Sequence, residues 1–521
     1  HDACIYGHAL EGNFHFIISQ SFDSPEQVAR YEKLMDEVKT LVVDKYDGSL
    51  KAEHGTGRNM APFVKYEWGE RAYGFMKAVK ELFDPKGLLN PGVIFNEDPH
   101  CHLKHFKPMP LTNAHVDKCI ECGFCEVNCL TCGFSLSSRQ RIVIQREISR
   151  LKKLSDTESS ERLKTLQKQY KYLGNATCAG DGLCSMSCPM GINVGDLTHD
   201  IRQANLPEKS IGYKTGDFVA NHFAETKSAL RPVLYLANMA HNMLGDKVMS
   251  SIGQGLHQIG VPLWTPSMPK PYYPHRIQQH EESLKVVYFP SCINQTMGTA
   301  KDSPDQTPLI DKTVALLQKA GYEVIFPENM KNRCCGTIWE SKGMMDIADR
   351  KSAELEAALY KGKYPVLCDQ SPCLHRMREV MTQVKLYEPV EFIYTFLKDK
   401  LVFSPIDEPI AVHITCSMRK MNLGNMLVDL ARLCSTKVIV PEEVGCCGFA
   451  GDRGFTYPEV NAYALRKLKP QIEKAGVKTG YSNSRTCEIG LTTNAGIPYI
   501  SIVYLVDKCT TSKNKCHEQP A

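Results

Sequence analysis

The stretch from residue 119 to 129 is where residue types and spacing point most directly to chemistry. It contains Cys119, Cys122, Cys125 and Cys129, separated by two, two and three residues. One loop with the first three thiolates can wrap a cube of iron and sulfide, while the fourth points toward a second cluster. A single pair of cysteines two residues apart would be weak evidence, because zinc and thiol redox sites use it too. The alternative is a zinc knot, which normally has one such pair and a distant second pair.

A second run, at residues 178–188, has the same spacing, but Asp181 occupies the position of its second cysteine. Together the two runs resemble two-cluster ferredoxins, in which the fourth cysteine of each run binds the cluster of the other. Two 4Fe–4S clusters are therefore predicted. Set A, which would bind one of them, consists of Cys119, Cys122, Cys125 and Cys188. Set B, which would bind the other, consists of Cys178, Cys184 and Cys129. In the cluster that set B would bind, the fourth iron is expected to have either Asp181 or no protein residue as its ligand. Cys132 is an alternative ligand for that iron.

Length and composition narrow the class of protein. A chain of 521 residues is too long for one core, so three to five domains are expected. The hydrophobic fraction of 43% and the charged fraction of 23% are ordinary for a soluble protein. A formal net charge of +4 gives no case for a nucleic-acid partner. No apolar run reaches the roughly 18 residues that span a bilayer, and no signal peptide is expected.

The 22 cysteines fall mostly in tight groups with the spacing of metal ligands. Secreted disulfide proteins are small and spread their cysteines as staples, so this grouping indicates a reducing cytoplasm. The chain begins at His1 without a methionine and runs directly into strand-like sequence. We therefore expect that the beginning of the natural chain is missing.

The first block, about residues 1–100, contains a second group of chemically capable residues. His8 and His15 flank a Gly-Asn turn that leads into an apolar strand, and Glu53 and His54 follow. Two imidazoles and one carboxylate suit a divalent metal with open positions for a substrate. A further histidine beside the metal can act as a base near neutral pH. By spacing alone, scattered surface histidines are the simpler explanation.

Three motifs of this block resemble the C-terminal substrate domain of FAD-linked 2-hydroxy-acid oxidases. They are HxxxGNxH from His8, GSLxAEHGxGR from Gly48, and the segment Asp84–Gly92. That family includes flavin-dependent D-lactate dehydrogenases, glycolate oxidase and D-2-hydroxyglutarate dehydrogenase. Its FAD-binding domain precedes the part that matches here.

The resemblance implies roles for individual residues. A divalent metal (zinc, manganese or iron) would be bound by His8, His15 and Glu53. His54 would remove the proton of the substrate hydroxyl group while hydride passes to FAD. The turn at Asn90 would lie against the flavin.

The middle of the chain is predicted as a mainly helical ferredoxin domain (residues 105–200) and a helical linker (residues 201–280). Two helices, at residues 137–153 and 157–172, separate the cysteine runs. They form either a solvated hairpin on the clusters or an arm that binds a partner. The linker has an apolar face, which is either core or a contact with a membrane surface. That face consists of Leu234, Leu236, Met239 and Met243.

The last 240 residues contain an imperfect repeat, at residues 281–402 and 403–510. Strands alternate with helices and cysteines follow the strands, which predicts parallel α/β units with ligands at the strand ends. The pattern resembles the CCG cysteine-rich domains of heterodisulfide reductase, whose five-cysteine form binds a non-cubane iron–sulfur cluster. Zinc or a disulfide is the alternative. The first unit supplies Cys292, Cys334, Cys335, Cys368 and Cys373. The second unit, expected to lack the last cysteine, supplies Cys416, Cys446, Cys447 and Cys487.

The sequence thus predicts a multidomain protein of α/β and α+β class: an α+β substrate domain, the ferredoxin domain and two parallel α/β units. This order resembles iron–sulfur-containing, FAD-linked D-lactate dehydrogenases. It implies oxidation of a D-2-hydroxy acid, with electrons passed to a quinone or cytochrome. Glycolate and D-2-hydroxyglutarate remain alternative substrates. The rivals are an electron-transfer subunit of the glycerol-3-phosphate dehydrogenase type and a zinc-binding structural protein. A cytoplasmic location is expected, with peripheral contact at the inner face of the membrane as an option.

Overall fold

The computed structural model describes residues 3–18, 20–22, 24–51, 55–106, 109–278, 282–359 and 362–513. The chain divides into two compact units. The first consists of residues 1–122 and 145–160, and the second of residues 123–144 and 161–521. Within the described ranges, no helix is both long enough and apolar enough to cross a membrane.

The first unit begins with an antiparallel hairpin. Its strands are β1 (Ala3–His8) and β2 (Asn13–Ile18), and His8 pairs with Asn13 next to the turn. Gly12 ends the turn with φ of 68°, a left-handed conformation that side chains disfavour and glycine adopts freely. The apolar strand predicted after the Gly-Asn turn is therefore present as β2.

Two helices complete the regular structure of this unit: α1 (Pro25–Lys39) and α2 (Ala61–Phe83). α1 starts with proline at its first position, and the Ser24 side chain caps it by accepting the N–H of Gln27. α2 bends at Gly69, where φ is 73°. Much of the apolar surface of α2 and of the turn after it is exposed. The exposed side chains include Trp68, Phe75, Leu82, Phe83 and Leu88.

Five helices follow along the chain. They are α3 (Ser138–Leu151), α4 (Thr157–Tyr170), α5 (Val194–Ala204), α6 (Ile211–Asn221) and α7 (Phe223–Gln258). α3 and α4 are the two helices predicted between the cysteine runs. α6 and α7 are separate helices, because His222 leaves helical geometry (φ −115°, ψ 43°) between them. α7 changes direction at Gly245, where φ is 74°.

The C-terminal part of the second unit holds two four-stranded parallel sheets. The first has the strand order β4-β3-β5-β6 and the second β9-β8-β10-β11, so both repeats have the same topology. The first sheet consists of β3 (Leu284–Phe289), β4 (Tyr322–Ile325), β5 (Val366–Cys368) and β6 (Leu386–Tyr387). The second consists of β8 (Ile406–Val412), β9 (Ser435–Ile439), β10 (Thr479–Ser482) and β11 (Tyr499–Ser501). β7 (Leu401–Phe403) and β12 (Thr510–Ser512) form a small antiparallel pair. The predicted internal repeat and its parallel strands are thus confirmed.

The helices of the two repeats occupy equivalent places between strands. In the first repeat they are α8 (Leu309–Lys319), α9 (Thr337–Glu340), α10 (Met345–Ala358), α11 (Ser371–Val380) and α12 (Pro389–Phe392). In the second they are α13 (Cys416–Lys420), α14 (Gly424–Cys434), α15 (Pro458–Ala464), α16 (Leu468–Ala475), α17 (Arg485–Ala495) and α18 (Ile502–Lys508).

Both repeats contribute to one apolar core. Tyr288 and Leu317 of the first repeat belong to the same buried cluster as Leu427 and Leu505 of the second. β3 has no exposed surface from Val286 onward, as expected for a central strand covered on both faces. Full burial of one such side chain contributes about 1.5–3 kcal/mol. This shared core fixes the cysteine-bearing strand ends of the two repeats relative to each other.

Candidate functional site

The hairpin of the first unit brings His8 and His15 together. Their ring centroids are 6.1 Å apart with the planes at 80°, and the His15 ring stacks on Tyr6 at 5.3 Å. Two imidazoles at this separation are compatible with one metal ion. Glu53 and His54, the other residues of the predicted site, lie outside the described residues. The four-residue site therefore stays a prediction.

The turn predicted to face the flavin is held by Asp84. Its carboxylate accepts the backbone N–H groups of Leu88 and Leu89, both at 2.9 Å, and Lys80 Nζ at 2.6 Å. The hydrogen bond from Lys80 lowers the pKa of Asp84 to about 2. Asn90 has φ of 44°, a left-handed conformation that asparagine tolerates better than most residues. The turn is thus ordered from the end of α2, independently of any ligand.

Set A draws on both units, so its assembly stays a prediction. Within the first unit, Arg146 organises the loop around Cys119. It donates to Glu121 Oε1 at 2.8 Å and to the carbonyl of Cys119 at 2.9 Å. Cys119 and Cys122 belong to the first unit, and Cys125 and Cys188 to the second.

Within the second unit, two short turns, one from each cysteine run, pack against each other. They are the 3-10 turns Phe124–Asn128 and Leu183–Ser187. Ser187 Oγ donates to the carbonyl of Phe124 at 2.9 Å and accepts from Asn128 Nδ2 at 3.0 Å. These contacts place the two runs side by side.

Set B lies entirely in the second unit, and its members surround one buried thiol. Burial raises the pKa of Cys184, and the N–H···S bond from Val194, at 3.4 Å, opposes the rise. The negative charges of Asp181, Cys178 and Cys129 add to the rise. The structure therefore brings the three cysteines of set B and Asp181 to one place.

Two buried arginines, Arg141 and Arg202, face set B. Arg141 Nη1 donates to Cys129 Sγ at 3.7 Å, and Arg202 donates to the carbonyl of Cys178 at 2.8 Å. Burial alone would raise the pKa of Cys178, but the charges of the two arginines outweigh it and lower the pKa. A lowered pKa favours the thiolate, which is the form that binds metal. Arg141 also donates to oxygens of Gly174, Thr131 and Thr177.

Cys132, the rival ligand for set B, is exposed and lies near Glu126 and Arg139. Asp181 is placed differently. Its Oδ1 accepts the N–H of Leu183 at 3.1 Å, while its Oδ2 is shielded from solvent and has no well-formed hydrogen bond from the described residues, and the Cys446 thiol contacts the carboxylate. The carboxylate, rather than the Cys132 thiol, is thus the group next to Cys184.

The first cysteine-rich site is formed by five thiols at the carboxyl ends of parallel strands. Cys334 contacts Cys292 and Cys335, and Cys373 contacts Cys335 and Cys368. Hydrogen bonds from the thiols of Cys334 and Cys373 hold the pKa of Cys335 well below its ordinary value. The five members form one continuous group.

Lys227 of α7 lies beside this site, and its side chain is buried. Its Nζ donates to Gln295 Oε1 at 2.8 Å. Burial lowers its pKa to about 8, while the negative charges of Cys292 and Cys334 act in the opposite direction. At neutral pH a cation therefore faces one end of the first cysteine-rich site.

The second cysteine-rich site is formed by four thiols. Cys446 contacts Cys416 and Cys447, and Cys447 Sγ lies 3.1 Å from Cys487 Sγ. As in the first repeat, the adjacent cysteine pair is followed by a glycine. Gly448 has φ of 74°, and a Cβ there would meet the Ala464 side chain at 2.9 Å. A side chain at this position would displace the loop that carries the pair.

The prediction that the second repeat lacks the last of the five cysteines is wrong. Cys373 and Cys487 both occupy the third position of the helix after the strand, in α11 and α17. Cys368 ends β5, and the residue that ends β10 is Ser482. Ser482 Oγ lies within hydrogen-bonding distance (3.2 Å) of His413 Nδ1. Counting cysteines in order along the chain could not reveal this, since the equivalence depends on the strand ends.

These sites carry groups of thiols, which are the ligands that iron–sulfur clusters use. The cysteines that the structure describes are free thiols. In the same residues, no three His, Cys, Asp or Glu side chains are arranged to hold a single metal ion. Zinc needs four donors about 2.0–2.3 Å from one point, whereas thiolates around a cluster bind different irons and lie farther apart. Hydrogen bonds to sulfur also tune cluster potentials. Such N–H···S bonds, of 3.4–3.5 Å, reach Cys334, Cys446 and Cys447.

Sequence reasoning missed the buried cations around these sites. Arg141 and Lys227 lie in helices that also carry partly or fully exposed charged residues, such as Arg139 and Lys247, so their sequence context resembles that of ordinary surface residues. No local signal separates them from exposed neighbours, because their burial depends on residues far along the chain. The role of Lys80 likewise becomes visible only in the structure, through its contact with Asp84.

Comparisons with known protein families agree with these observations. Residues 1–94 match the family described as FAD linked oxidases, C-terminal domain. Residues 286–378 and 410–492 each match the family described as Cysteine-rich domain. The chain therefore carries an FAD-linked oxidase C-terminal domain and two cysteine-rich domains, and the predicted resemblance is confirmed.

Curated relatives match the first of these regions. "Glycolate oxidase subunit GlcD" of Bacillus subtilis is 32% identical over 95 residues, which are 18% of this chain and 20% of the relative. "D-2-hydroxyglutarate dehydrogenase" of Stutzerimonas stutzeri is 38% identical over 92 residues, 17% of this chain and 20% of the relative. "D-lactate dehydrogenase (cytochrome) 1, mitochondrial" of Saccharomyces cerevisiae is 33% identical over 96 residues, 18% and 16% respectively.

The chain thus spans at most about a fifth of the length of these curated relatives. Among solved structures, the aspartate racemase of Picrophilus torridus aligns with 45% of this chain and 97% of its own, at 10% identity and a TM-score of 0.21. That score is too low to indicate a shared fold. Together, these comparisons show similarity to FAD-linked oxidases over the first 94 residues and to cysteine-rich domains over two later segments.

Proposed function

We propose that this chain, which carries an FAD-linked oxidase C-terminal domain and two cysteine-rich domains, belongs to an FAD- and iron–sulfur-dependent D-lactate dehydrogenase. The enzyme oxidises the D-2-hydroxy acid to the 2-oxo acid and passes the electrons to a quinone or cytochrome. One observation carries the proposal: the same chain combines the His8–His15 hairpin with buried groups of free thiols. An electron-transfer subunit would need no such pair of histidines.

In the FAD-linked oxidase domain, the chain's own residues bind the substrate and remove its hydroxyl proton. His8 and His15, with Glu53, would hold a divalent ion, and such an ion would orient the hydroxyl and carboxylate groups of the substrate. His54 accepts the hydroxyl proton as a general base. FAD, when bound, supplies a two-electron acceptor for the hydride at the substrate carbon. The turn ordered by Asp84 lies toward the flavin in this arrangement.

The exposed apolar side chains of the first unit support this assignment. Trp68, Phe75 and Leu82 project from α2 without cover from the described residues of their unit. Apolar patches of this kind mark surfaces that pack against another protein surface. The FAD-binding domain of the family is the partner that we propose for this face.

Toward the electron acceptor, clusters bound by the cysteine sets would pass on the two electrons of the oxidation one at a time. Buried cations beside anionic sulfur sites, such as Arg141 and Lys227, support cluster binding by balancing its charge. α7 exposes Leu236, Met239 and Met243, whereas Leu234 is buried. We propose that this face gives peripheral access to a membrane-bound acceptor.

A panel of 2-hydroxy acids tests the proposed activity. The natural protein that contains this chain, with FAD bound, is expected to reduce an artificial acceptor with the highest kcat/KM for D-lactate. Higher values for glycolate or D-2-hydroxyglutarate would reassign the substrate. An iron-loaded protein that oxidises none of the three would favour the electron-transfer subunit.

Lys227→Met is expected to lower the reduction potential of the cluster proposed for the first cysteine-rich site. Removing a positive charge disfavours the added electron, and a unit charge at about 4 Å is worth up to about 4 kcal/mol at an effective dielectric constant of 20. A redox titration followed by electron paramagnetic resonance measures the shift. Lys247→Met, which changes an exposed lysine of α7, is the matched control. Equal potentials in Lys227→Met and wild type would show that this cation does not face the cluster.

A further inference from the structure

The loop that carries Asp181 packs against the second cysteine-rich site. Lys420 Nζ, at the end of α13, lies 3.2 Å from the position that a Cβ would take on Gly182. Leu183 Cδ1 lies 3.9 Å from the corresponding position on Gly445, the residue before the adjacent cysteine pair. The end of the ferredoxin-like run and the second repeat are therefore in direct contact within the second unit.

The Asp181 carboxylate lies between two groups of thiols. Burial raises its pKa, and contact with the Cys446 thiol is the largest of the effects that oppose the rise. The pKa of Cys416 is raised by its hydrogen bond to Cys446, by burial and, further, by the charge of Asp181. On its other side Asp181 acts on Cys184 of set B. The carboxylate is thus a neighbour of both sites.

One oxygen of the Asp181 carboxylate lacks a well-formed hydrogen bond. Asp181 Oδ1 is occupied by the N–H of Leu183, whereas Oδ2 is shielded from solvent and has no well-formed hydrogen bond from the residues that the structure describes, and the Cys446 thiol contacts the carboxylate. A buried carboxylate oxygen without a donor is unfavourable, and a bound cation removes the penalty. The second cysteine-rich site would supply such a cation, because iron accepts oxygen as well as sulfur ligands.

The two cysteine-rich sites differ in the charged residue that lies beside the first two cysteines of each site. Cys292 and Cys334 of the first site occupy the places of Cys416 and Cys446 in the second, by strand and loop position. The first site has Lys227 beside these cysteines, whereas the second has Asp181. The second site also has one thiol fewer, because Ser482 ends β10. The site with five thiols thus has a positively charged neighbour, and the site with four thiols has a negatively charged one.

We propose that Asp181 is the fifth protein ligand of an iron–sulfur cluster in the second cysteine-rich site, bound through Oδ2. The fourth iron of set B then has no protein ligand. This inference rests on the proposed function, which loads these sites with clusters. It also makes set B and the second cysteine-rich site direct neighbours in the electron path, joined by one short loop.

The test uses five variants of the chain and two readouts, iron per chain and electron paramagnetic resonance. Cys487→Ser identifies the signal of the second cysteine-rich site, and Cys184→Ser identifies that of set B. Asp181→Ala is expected to lose iron from the second site and to alter only the signal that Cys487→Ser removes. Asp181→Cys, which restores an anionic ligand, is expected to keep the iron while shifting the same signal. Glu208→Ala changes an exposed carboxylate nearby in sequence and is expected to match wild type.

Three results would overturn the inference. The effect of Asp181→Ala could fall on the signal that Cys184→Ser removes, which would assign the carboxylate to set B. Both signals could stay unchanged in Asp181→Ala. The wild-type chain could also hold iron in set B but show no signal that Cys487→Ser removes. A wild-type chain without iron in any set would instead contradict the proposed function itself.

Discussion

Replacing His8 with alanine is expected to reduce D-lactate turnover by the natural protein at least about 10²–10³-fold. The metal that His8 helps to hold stabilises developing charge on the substrate by several kcal/mol, and each 1.36 kcal/mol is about tenfold in rate. Steady-state assays with an artificial acceptor measure the loss. Iron and flavin contents should stay at wild-type values, because His8 lies at the end of a hairpin strand in the first unit and is not among the residues predicted to bind a cluster or the flavin.

His100→Ala is the matched control for this prediction. His100 belongs to the same unit, but its side chain is 59% exposed and lies 3.6 Å from Glu32. Its loss is expected to leave turnover unchanged. Near-normal turnover in His8→Ala would remove the two-histidine hairpin from the mechanism, and with it the argument for a substrate site in this chain.

Arg141→Met is expected to release the cluster of set B and to destabilise the second unit. The guanidinium is almost fully buried and holds Cys129 Sγ, two threonine hydroxyls and a backbone carbonyl together. Removing one partner from a buried charged network typically costs about 3–5 kcal/mol, because the remaining groups are left unpaired. Iron analysis and denaturant unfolding of the purified chain measure the two effects.

Arg139→Met serves as the comparison, because Arg139 lies two residues before Arg141 in the same helix and carries the same charge but is partly exposed. Arg139 is 32% exposed and bonds to Glu126 at 3.2 Å, an ion pair of the kind worth about 0–1 kcal/mol. It should retain iron and unfold near the wild-type midpoint. If Arg141→Met behaved in the same way, the buried arginine would not be needed for set B.

Local patterns in the sequence were enough to predict several elements. The Gly-Asn turn predicted β2, and the apolar spacing after residue 137 predicted α3 and α4 to within two residues at each end. The alternation of strands and helices predicted two parallel units, since a parallel connection requires a helical crossover. These features are encoded in neighbouring residues, which is why one sequence suffices.

Features that depend on distant residues could not be predicted. Asp181 and Cys446 are 265 positions apart by their residue numbers, and only the packing of the loop on the second repeat brings them together. Ser482 was overlooked because its role follows from the end of β10 and not from any cysteine spacing. The burial of Lys227 likewise depends on residues of the first repeat, among them Gln295.

Anaerobic addition of D-lactate to the FAD-loaded natural protein tests the central claim most directly, with the clusters followed by electron paramagnetic resonance. The account predicts that D-lactate reduces the flavin and then produces the signals of reduced iron–sulfur clusters, whereas L-lactate produces neither. A protein whose flavin is reduced by D-lactate while every cluster stays oxidised would contradict the account.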